Sequence, residues 1–209
     1  MSDILEEIKR EKIVAIIRAS SSENIMHTVE SLYRGGIRLV EVTMNTPGAL
    51  DAIGKLKTLK GDLHIGAGTV LDAESAVAAI RSGAKFLLAP TLDERAIQAA
   101  NRYGVPLIPG VLTPTEALRA YEFGAKMVKI FPIRSFGPDY LKDIKGPLPF
   151  IQTMVVGGVS IDNISKYLKA GACSAGIGSS LVDNQLIETG NYDEIERRAK
   201  QFIQAAKSI

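Results

Sequence analysis

The 209-residue chain has no tryptophan, one cysteine and two histidines, and each shortage removes a class of function. A single Cys173 rules out an intramolecular disulfide framework and fits a reducing compartment. Two isolated histidines, His27 and His64, cannot form a metal-ligand cluster with one cysteine, so neither a metal nor another cofactor is expected. Aromatic residues are few and scattered, which argues against a surface for stacking bases. Charge of one sign is also lacking: 25 lysines and arginines face 23 acidic residues, so no broad field invites nucleic acid, and any anion must be held locally. No apolar run reaches the roughly 18 residues of a membrane span, and the charged first eleven residues do not resemble a signal peptide. The expected setting is the cytoplasm, with neither membrane nor nucleic acid as partner.

What the chain does have is 46% hydrophobic content cut into short continuous runs, the pattern of strands buried on both faces in a parallel sheet. After an amphipathic segment from Asp3 to Lys12 come Ile13 to Ile17, Leu39 to Met44, Ile65 to Leu71, Phe86 to Ala89, Val105 to Val111, Met127 to Phe131, Thr153 to Val156 and Cys173 to Gly178. Helical periodicity lies between them, for example at Ser22 to Tyr33, Ala73 to Arg81, Asp93 to Tyr103, Pro114 to Phe123 and Ile161 to Lys169, and again at Tyr192 to Ile209. Gly36, Gly83, Gly104, Gly124 and Gly171 each follow a helical pattern and precede an apolar run, as left-handed caps do. Eight strand–helix units in one domain, 1–209, predict a compact (β/α)8 barrel with an N-terminal helix. A doubly wound open sheet is the alternative.

In such a barrel the site lies at the C-terminal ends of the strands. Polar residues gather there: Arg18, Glu41 with Thr43 and Asn45, Thr69, Lys129, Gly157–Gly158 and Ser179–Ser180 after Gly178. Lys129 interrupts Met127-Val128-Lys129-Ile130-Phe131-Pro132, where burial would lower its pKa and make the amine a nucleophile toward carbonyl carbon. The plainer reading is a strand-end lysine whose head reaches water. Glu41 interrupts Leu39-Val40-Glu41-Val42 in the same way and shares a face with Thr43 and Asn45. It is a candidate general acid/base, or half of a structural ion pair with Lys129. The glycine-rich turns after the last two strands could bind phosphate through backbone amides, with Ser160 capping a helix from Ile161; two ordinary tight turns are the alternative. Gly66-Ala67-Gly68-Thr69 lacks the rest of a dinucleotide fingerprint. Thr69 more plausibly offers its hydroxyl to a ligand carboxylate, which Arg18 could also pair with.

The stretches Val40-Glu41-Val42-Thr43, Ile65-Gly66-Ala67-Gly68-Thr69-Val70-Leu71, Ile108-Pro109-Gly110-Val111, Lys129-Ile130-Phe131-Pro132, Gly157-Gly158-Val159 and Gly178-Ser179-Ser180 together resemble the 2-keto-3-deoxy-6-phosphogluconate (KDPG) and 4-hydroxy-2-oxoglutarate (KHG) aldolases. The resemblance runs the length of the chain. It implies a metal-free class I pyruvate aldolase, a homotrimer, acting on a phosphorylated keto-sugar acid. By position, Lys129 matches the Schiff-base lysine and Glu41 the general acid/base. Thr69 matches the site of the pyruvyl carboxylate, and Gly158 with Ser180 that of the phosphate. Substrate contact is further implied at Arg18, Asn45, Pro90, Phe131, Gly157, Gly178 and Ser179. Asn45 stands where many gluconate-type members carry arginine, and Val156 where they carry threonine. Both, with Phe136-Gly137-Pro138-Asp139-Tyr140, resemble the 6-phosphogalactonate branch. A non-covalent sugar-phosphate epimerase or isomerase, or a non-catalytic sugar-phosphate sensor, are the readings from other classes.

Overall fold

The computed structural model describes residues 4–59 and 61–207. Its strands are β1 (Ile13–Ile17), β2 (Leu39–Thr43), β3 (His64–Gly68), β4 (Leu87–Leu88), β5 (Leu107–Ile108), β6 (Gly110–Val111), β7 (Met127–Ile130), β8 (Gln152–Val156) and β9 (Ser174–Ile177). All pairings are parallel, in the order β5-β4-β3-β2-β1-β9-β8-β7-β6. The two ends of that order are the same stretch of chain, for only Pro109 separates β5 from β6. The run expected from Val105 to Val111 is therefore one stave in two halves, because proline has no N–H to give the ladder. On one side Ile108 accepts from the Ala89 amide at 3.1 Å; on the other Pro109 accepts from the Lys129 amide at 2.8 Å. Eight staves thus close into the expected barrel, and the open-sheet alternative falls.

The helices are α1 (Ile4–Glu11), α2 (Ile25–Arg34), α3 (Ala49–Leu56), α4 (Ala73–Ser82), α5 (Glu94–Arg102), α6 (Pro114–Glu122), α7 (Gly137–Lys145), α8 (Ile164–Lys169), α9 (Asn184–Glu188) and α10 (Tyr192–Lys207). The expected ends at Asp3 and at Ser208–Ile209 lie outside the described residues. Asp72, Asp93 and Thr113 cap α4, α5 and α6 by accepting from backbone amides, and Glu116 closes a capping box on the third. Gly36, Gly83, Gly104, Gly124 and Gly171 all take positive φ, as left-handed caps require. Ser160 does not cap a helix at Ile161. Its amide donates to the Asn163 side chain at 2.8 Å, and α8 begins only at Ile164.

Strand alternation divides the core in two. Ala15, Ile17, Val40, Val42, Val128, Ile130 and Val155 face the helices. Val14, Ile16, Leu39, Phe86, Leu88, Ile108, Met127, Met154 and Val156 fill the barrel, joined by Leu5 and Ile8 of α1, which close its N-terminal end. Phe86 is fully buried and fits because Gly66 has no side chain: a Cβ there would fall on the ring. Burial of a side chain of that size contributes about 1.5–3 kcal/mol. With that end plugged, a ligand can enter only from the C-terminal end of the strands.

Candidate active site

Two ionisable side chains stand in the upper part of the barrel. Glu41, third in β2, is 1% exposed, and Lys129, third in β7, is 6% exposed. Burial pushes the Glu41 carboxyl up to about 7, while Lys129 and Arg18 pull it partly back. Burial also lowers the Lys129 pKa, and this outweighs the opposing pull of Glu41; Arg18 lowers it further. The two groups therefore feel each other's charge. No ion pair closes between them among the described residues, and Glu41 Oε2 has no hydrogen-bond partner. An orphaned, desolvated carboxylate oxygen beside a desolvated amine is costly to keep as structure alone. The geometry suits proton exchange with something placed between them.

The loops at this end gather the remaining candidates. Arg18 follows β1 and is exposed at the mouth. The chain beside it is fixed by Thr46, whose hydroxyl accepts from the Ala19 amide at 3.2 Å and pairs with the Thr43 hydroxyl at 3.2 Å. The Thr43 side chain is thus engaged within the fold, while exposed Asn45 precedes Thr46. Thr69, just past β3, is held at φ +57°, an outlier for a β-branched residue and a strain of order 1–3 kcal/mol. Neighbouring hydrogen bonds hold it there, from the Met44 amide to Gly68 and from the Val70 amide to Leu88. Half-buried Pro90 lies against Gly110, which pairs in register with Lys129. Phe131 follows the lysine on the same face, its ring centroid 4.6 Å from Nζ.

The two glycine turns follow β8 and β9, the strands between β7 and β1. Gly157 and Gly158 have φ of +91° and +84°, conformations an L side chain rarely adopts. Gly178 opens a turn in which the Leu181 and Val182 amides both donate to its carbonyl. The Ser180 hydroxyl donates to Val159 at 2.7 Å and so ties the two turns together. Ser179 is exposed beside it. A short helix, α9, follows, capped by Asp183.

Residues 4–198 match the family model described as KDPG and KHG aldolase. The chain belongs to this family. It is 35% identical over 205 residues to a 2-dehydro-3-deoxy-phosphogluconate aldolase of Haemophilus influenzae, covering 98% of this chain and 97% of the relative. It is 37% identical over 171 residues to a 2-dehydro-3-deoxy-6-phosphogalactonate aldolase of Escherichia coli, covering 81% and 83%. Among solved structures, the KDPG aldolase of Legionella pneumophila with pyruvate captured as a covalent carbinolamine superposes with a TM-score of 0.86 at 28% identity, covering 92% of this chain and 95% of that one. The chain is accordingly a class I pyruvate aldolase, a carbon–carbon lyase.

The barrel carries Arg18, Glu41, Asn45, Thr69, Lys129 and the two glycine turns at or just past the C-terminal ends of its strands. It leaves His27 on α2 against Tyr192, and Cys173 among residues packed on the barrel interior. Among the described residues no group of three or more histidine, cysteine, aspartate or glutamate side chains could hold a metal, and no helix is long and apolar enough to cross a membrane. Sequence reasoning missed Thr46, whose spacing from Thr43 is its only signal. It also missed Arg134, whose Cβ lies 2.5 Å from where a Cβ on Gly158 would sit.

Proposed function

We propose that this aldolase cleaves 2-keto-3-deoxy-6-phosphogluconate to pyruvate and glyceraldehyde 3-phosphate, with Lys129 as the Schiff-base residue and Glu41 as the general acid/base. The observation that carries the assignment is the pair itself: a buried amine with a lowered pKa facing a buried carboxylate with a raised one, and no ion pair between them. The neutral Lys129 amine attacks the keto carbon. The carbonyl oxygen takes up a proton, and loss of water leaves an iminium. Glu41, ionised in part near pH 7, takes the proton of the carbon-four hydroxyl, directly or through a water. The bond between carbons three and four breaks, its electrons discharge the iminium to an enamine, and the aldehyde departs. Glu41 returns its proton to carbon three, and hydrolysis of the resulting iminium frees pyruvate and the amine. A carboxyl titrating near the working pH suits both directions of that transfer.

Arg18 and Thr69 are assigned the pyruvyl carboxylate, with Pro90 and Phe131 walling its apolar side. The turns at Gly157–Gly158 and Gly178–Ser180 are assigned the phosphate, through backbone amides. Because the Ser180 hydroxyl donates to Val159, its oxygen is left chiefly as an acceptor, and the amides carry that contact. The unphosphorylated 4-hydroxy-2-oxoglutarate, giving pyruvate and glyoxylate, is a second substrate on this reading. The 6-phosphogalactonate epimer is favoured instead by Asn45 and Val156. Asn45 is exposed at the mouth and Val156 lines the barrel, which supports a role for both in choosing between the sugar epimers.

The chain is read as one domain, working in the cytoplasm, since a sugar phosphate does not cross a bilayer unaided and is consumed where it is made. A homotrimer fits the exposed apolar side chains Leu71, Tyr103, Leu118, Tyr121 and Phe150.

Intact mass after mixing with pyruvate and borohydride, followed by peptide mapping, tests the covalent assignment. A reduced pyruvyl adduct is expected on the Lys129 peptide; folded protein without one removes Lys129 from the role. Cleavage rates on the two epimers, with Val156→Thr and Asn45→Arg beside the wild type, test the substrate.

A further inference from the structure

Lys129 points into the barrel from β7, and Phe131, the residue just past that strand, packs against the apolar cluster of the barrel interior. The Phe131 ring centroid lies 4.6 Å from Lys129 Nζ, inside the distance at which an aromatic face attracts a cation. Gly157 leaves room for the ring: a Cβ there would lie 3.2 Å from Phe131 Cδ2, 3.3 Å from Cε2 and 3.3 Å from the Pro132 backbone. The ring thus has both a bare backbone and the amine as neighbours. Water does not compete strongly for the contact, because Lys129 is buried and Phe131 half-buried.

We infer that Phe131 is a catalytic residue of this aldolase, its ring face holding the positive charge on Lys129 Nζ whenever that atom is protonated and in the iminium formed with substrate, and that Gly157 positions it. The inference rests on the Schiff-base assignment of Lys129. The cation appears when the carbinolamine loses hydroxide as water and the carbon–nitrogen double bond forms. It disappears when the electrons of the breaking carbon–carbon bond reach nitrogen. Glu41 is the other group that favours the charge at Nζ, and Arg18 opposes it. The ring offers attraction without a proton of its own, so it supports the iminium and leaves proton transfer to Glu41.

The test compares wild type with Phe131→Leu, Phe131→Tyr and Gly157→Ala in two measurements. The first follows acetylation of Lys129 against pH by peptide mass, which reads the neutral amine directly. Loss of the ring removes an attraction for the charged form, so the amine of Phe131→Leu is expected to titrate about 0.5–1 pH unit lower, a three- to ten-fold weaker hold on its proton. The second is the fraction of enzyme trapped by borohydride at saturating pyruvate, expected to fall several-fold in Phe131→Leu. Phe131→Tyr keeps a ring and is expected to hold the Lys129 titration near its wild-type position and to retain more trapping than Phe131→Leu. Gly157→Ala keeps the ring but displaces it, and is expected to move both measurements in the direction of Phe131→Leu, so the test stands even if the leucine variant does not fold. A residue that only packs against pyruvate would raise the KM and leave the Lys129 titration in place; that result overturns the inference. Failure of wild type to form an adduct at Lys129 would instead overturn the Schiff-base assignment beneath it.

Discussion

Gly68 lacks a side chain where the Glu41 carboxylate needs the space. The two residues lie two register positions apart on neighbouring strands, Glu41 pairing with Gly66 and Thr43 with Gly68. A Cβ on Gly68 would fall on Glu41 Oε1 and lie 2.7 Å from its Cγ. Gly68→Ala must therefore displace the carboxylate or the strand. Overpacking of this kind costs about 1–3 kcal/mol of stability. The larger expected effect is on activity, with kcat falling at least about 100-fold, since a displacement of about 1 Å at a reacting group costs that much. Borohydride trapping at Lys129 should survive in part. Steady-state kinetics alongside thermal melting checks this, and a Gly68→Ala enzyme with normal kcat would mean that Glu41 can work from elsewhere.

The raised pKa of Glu41 also makes stability depend on pH. Unfolded, the carboxyl titrates near 4.5; folded, at about 7, so the folded state binds its proton more tightly. The cost of ionising the buried group is absent below about pH 4.5 and grows as pH rises, reaching its full value above about 7. That difference is worth about 3 kcal/mol at 1.36 kcal/mol per pH unit. Glu41→Gln removes the titration. Relative to wild type it should gain about 2.5 kcal/mol in unfolding free energy between pH 5 and pH 8, while cleavage nearly disappears. Urea unfolding of both proteins at the two pH values checks it; parallel curves would show that Glu41 does not titrate in this range.

Most of this site could be located from sequence because its chemistry interrupts apolar strands. Glu41 and Lys129 were conspicuous against valine, leucine and isoleucine, and the glycine caps set the unit length. Other features needed three dimensions. Pro109 splits a stave because of a missing amide in an otherwise unbroken run. Ser160 looked like a cap, yet Asn163 binds its amide and delays α8. Thr43 looked available to a ligand but is paired with Thr46. Helices α3 and α7 were not picked out, because α3 follows Gly48 and contains Gly54 while α7 opens on Gly137-Pro138, residues that read as turns. Nothing in its own neighbourhood of sequence marks Arg134, whose stem packs against Gly158 at the end of the neighbouring strand.

Thr46 offers a test of how the mouth is held. It is buried and its hydroxyl links the Thr43 side chain to the Ala19 amide, next to Arg18. Thr46→Val preserves volume but leaves that amide without its acceptor, a loss of about 1–3 kcal/mol. With the β1 end loosened, Arg18 is less well placed, and KM for pyruvate in the condensation direction should rise several-fold. Thr46→Ser should restore both. Melting temperature with KM for pyruvate separates the outcomes: a stability loss with unchanged KM would mean that Arg18 keeps its position without the clasp.

Arg134 bears on phosphorylated against unphosphorylated substrate. Its Cα and Cβ lie 3.2 and 2.5 Å from where a Gly158 Cβ would be, so the stem packs along the bare backbone of the turn assigned to phosphate. The side chain is exposed, and a solvated ion contact contributes up to about 1 kcal/mol. Arg134→Gln should accordingly raise KM about five-fold for the 6-phosphorylated substrate, leaving kcat and the KM for 4-hydroxy-2-oxoglutarate unchanged. Added salt should raise the wild-type KM for the phosphorylated substrate more than that of the variant, because screening acts on the contact the variant has already lost. A KM for the phosphorylated substrate that is the same in both proteins would assign the phosphate to the backbone amides of the two turns alone.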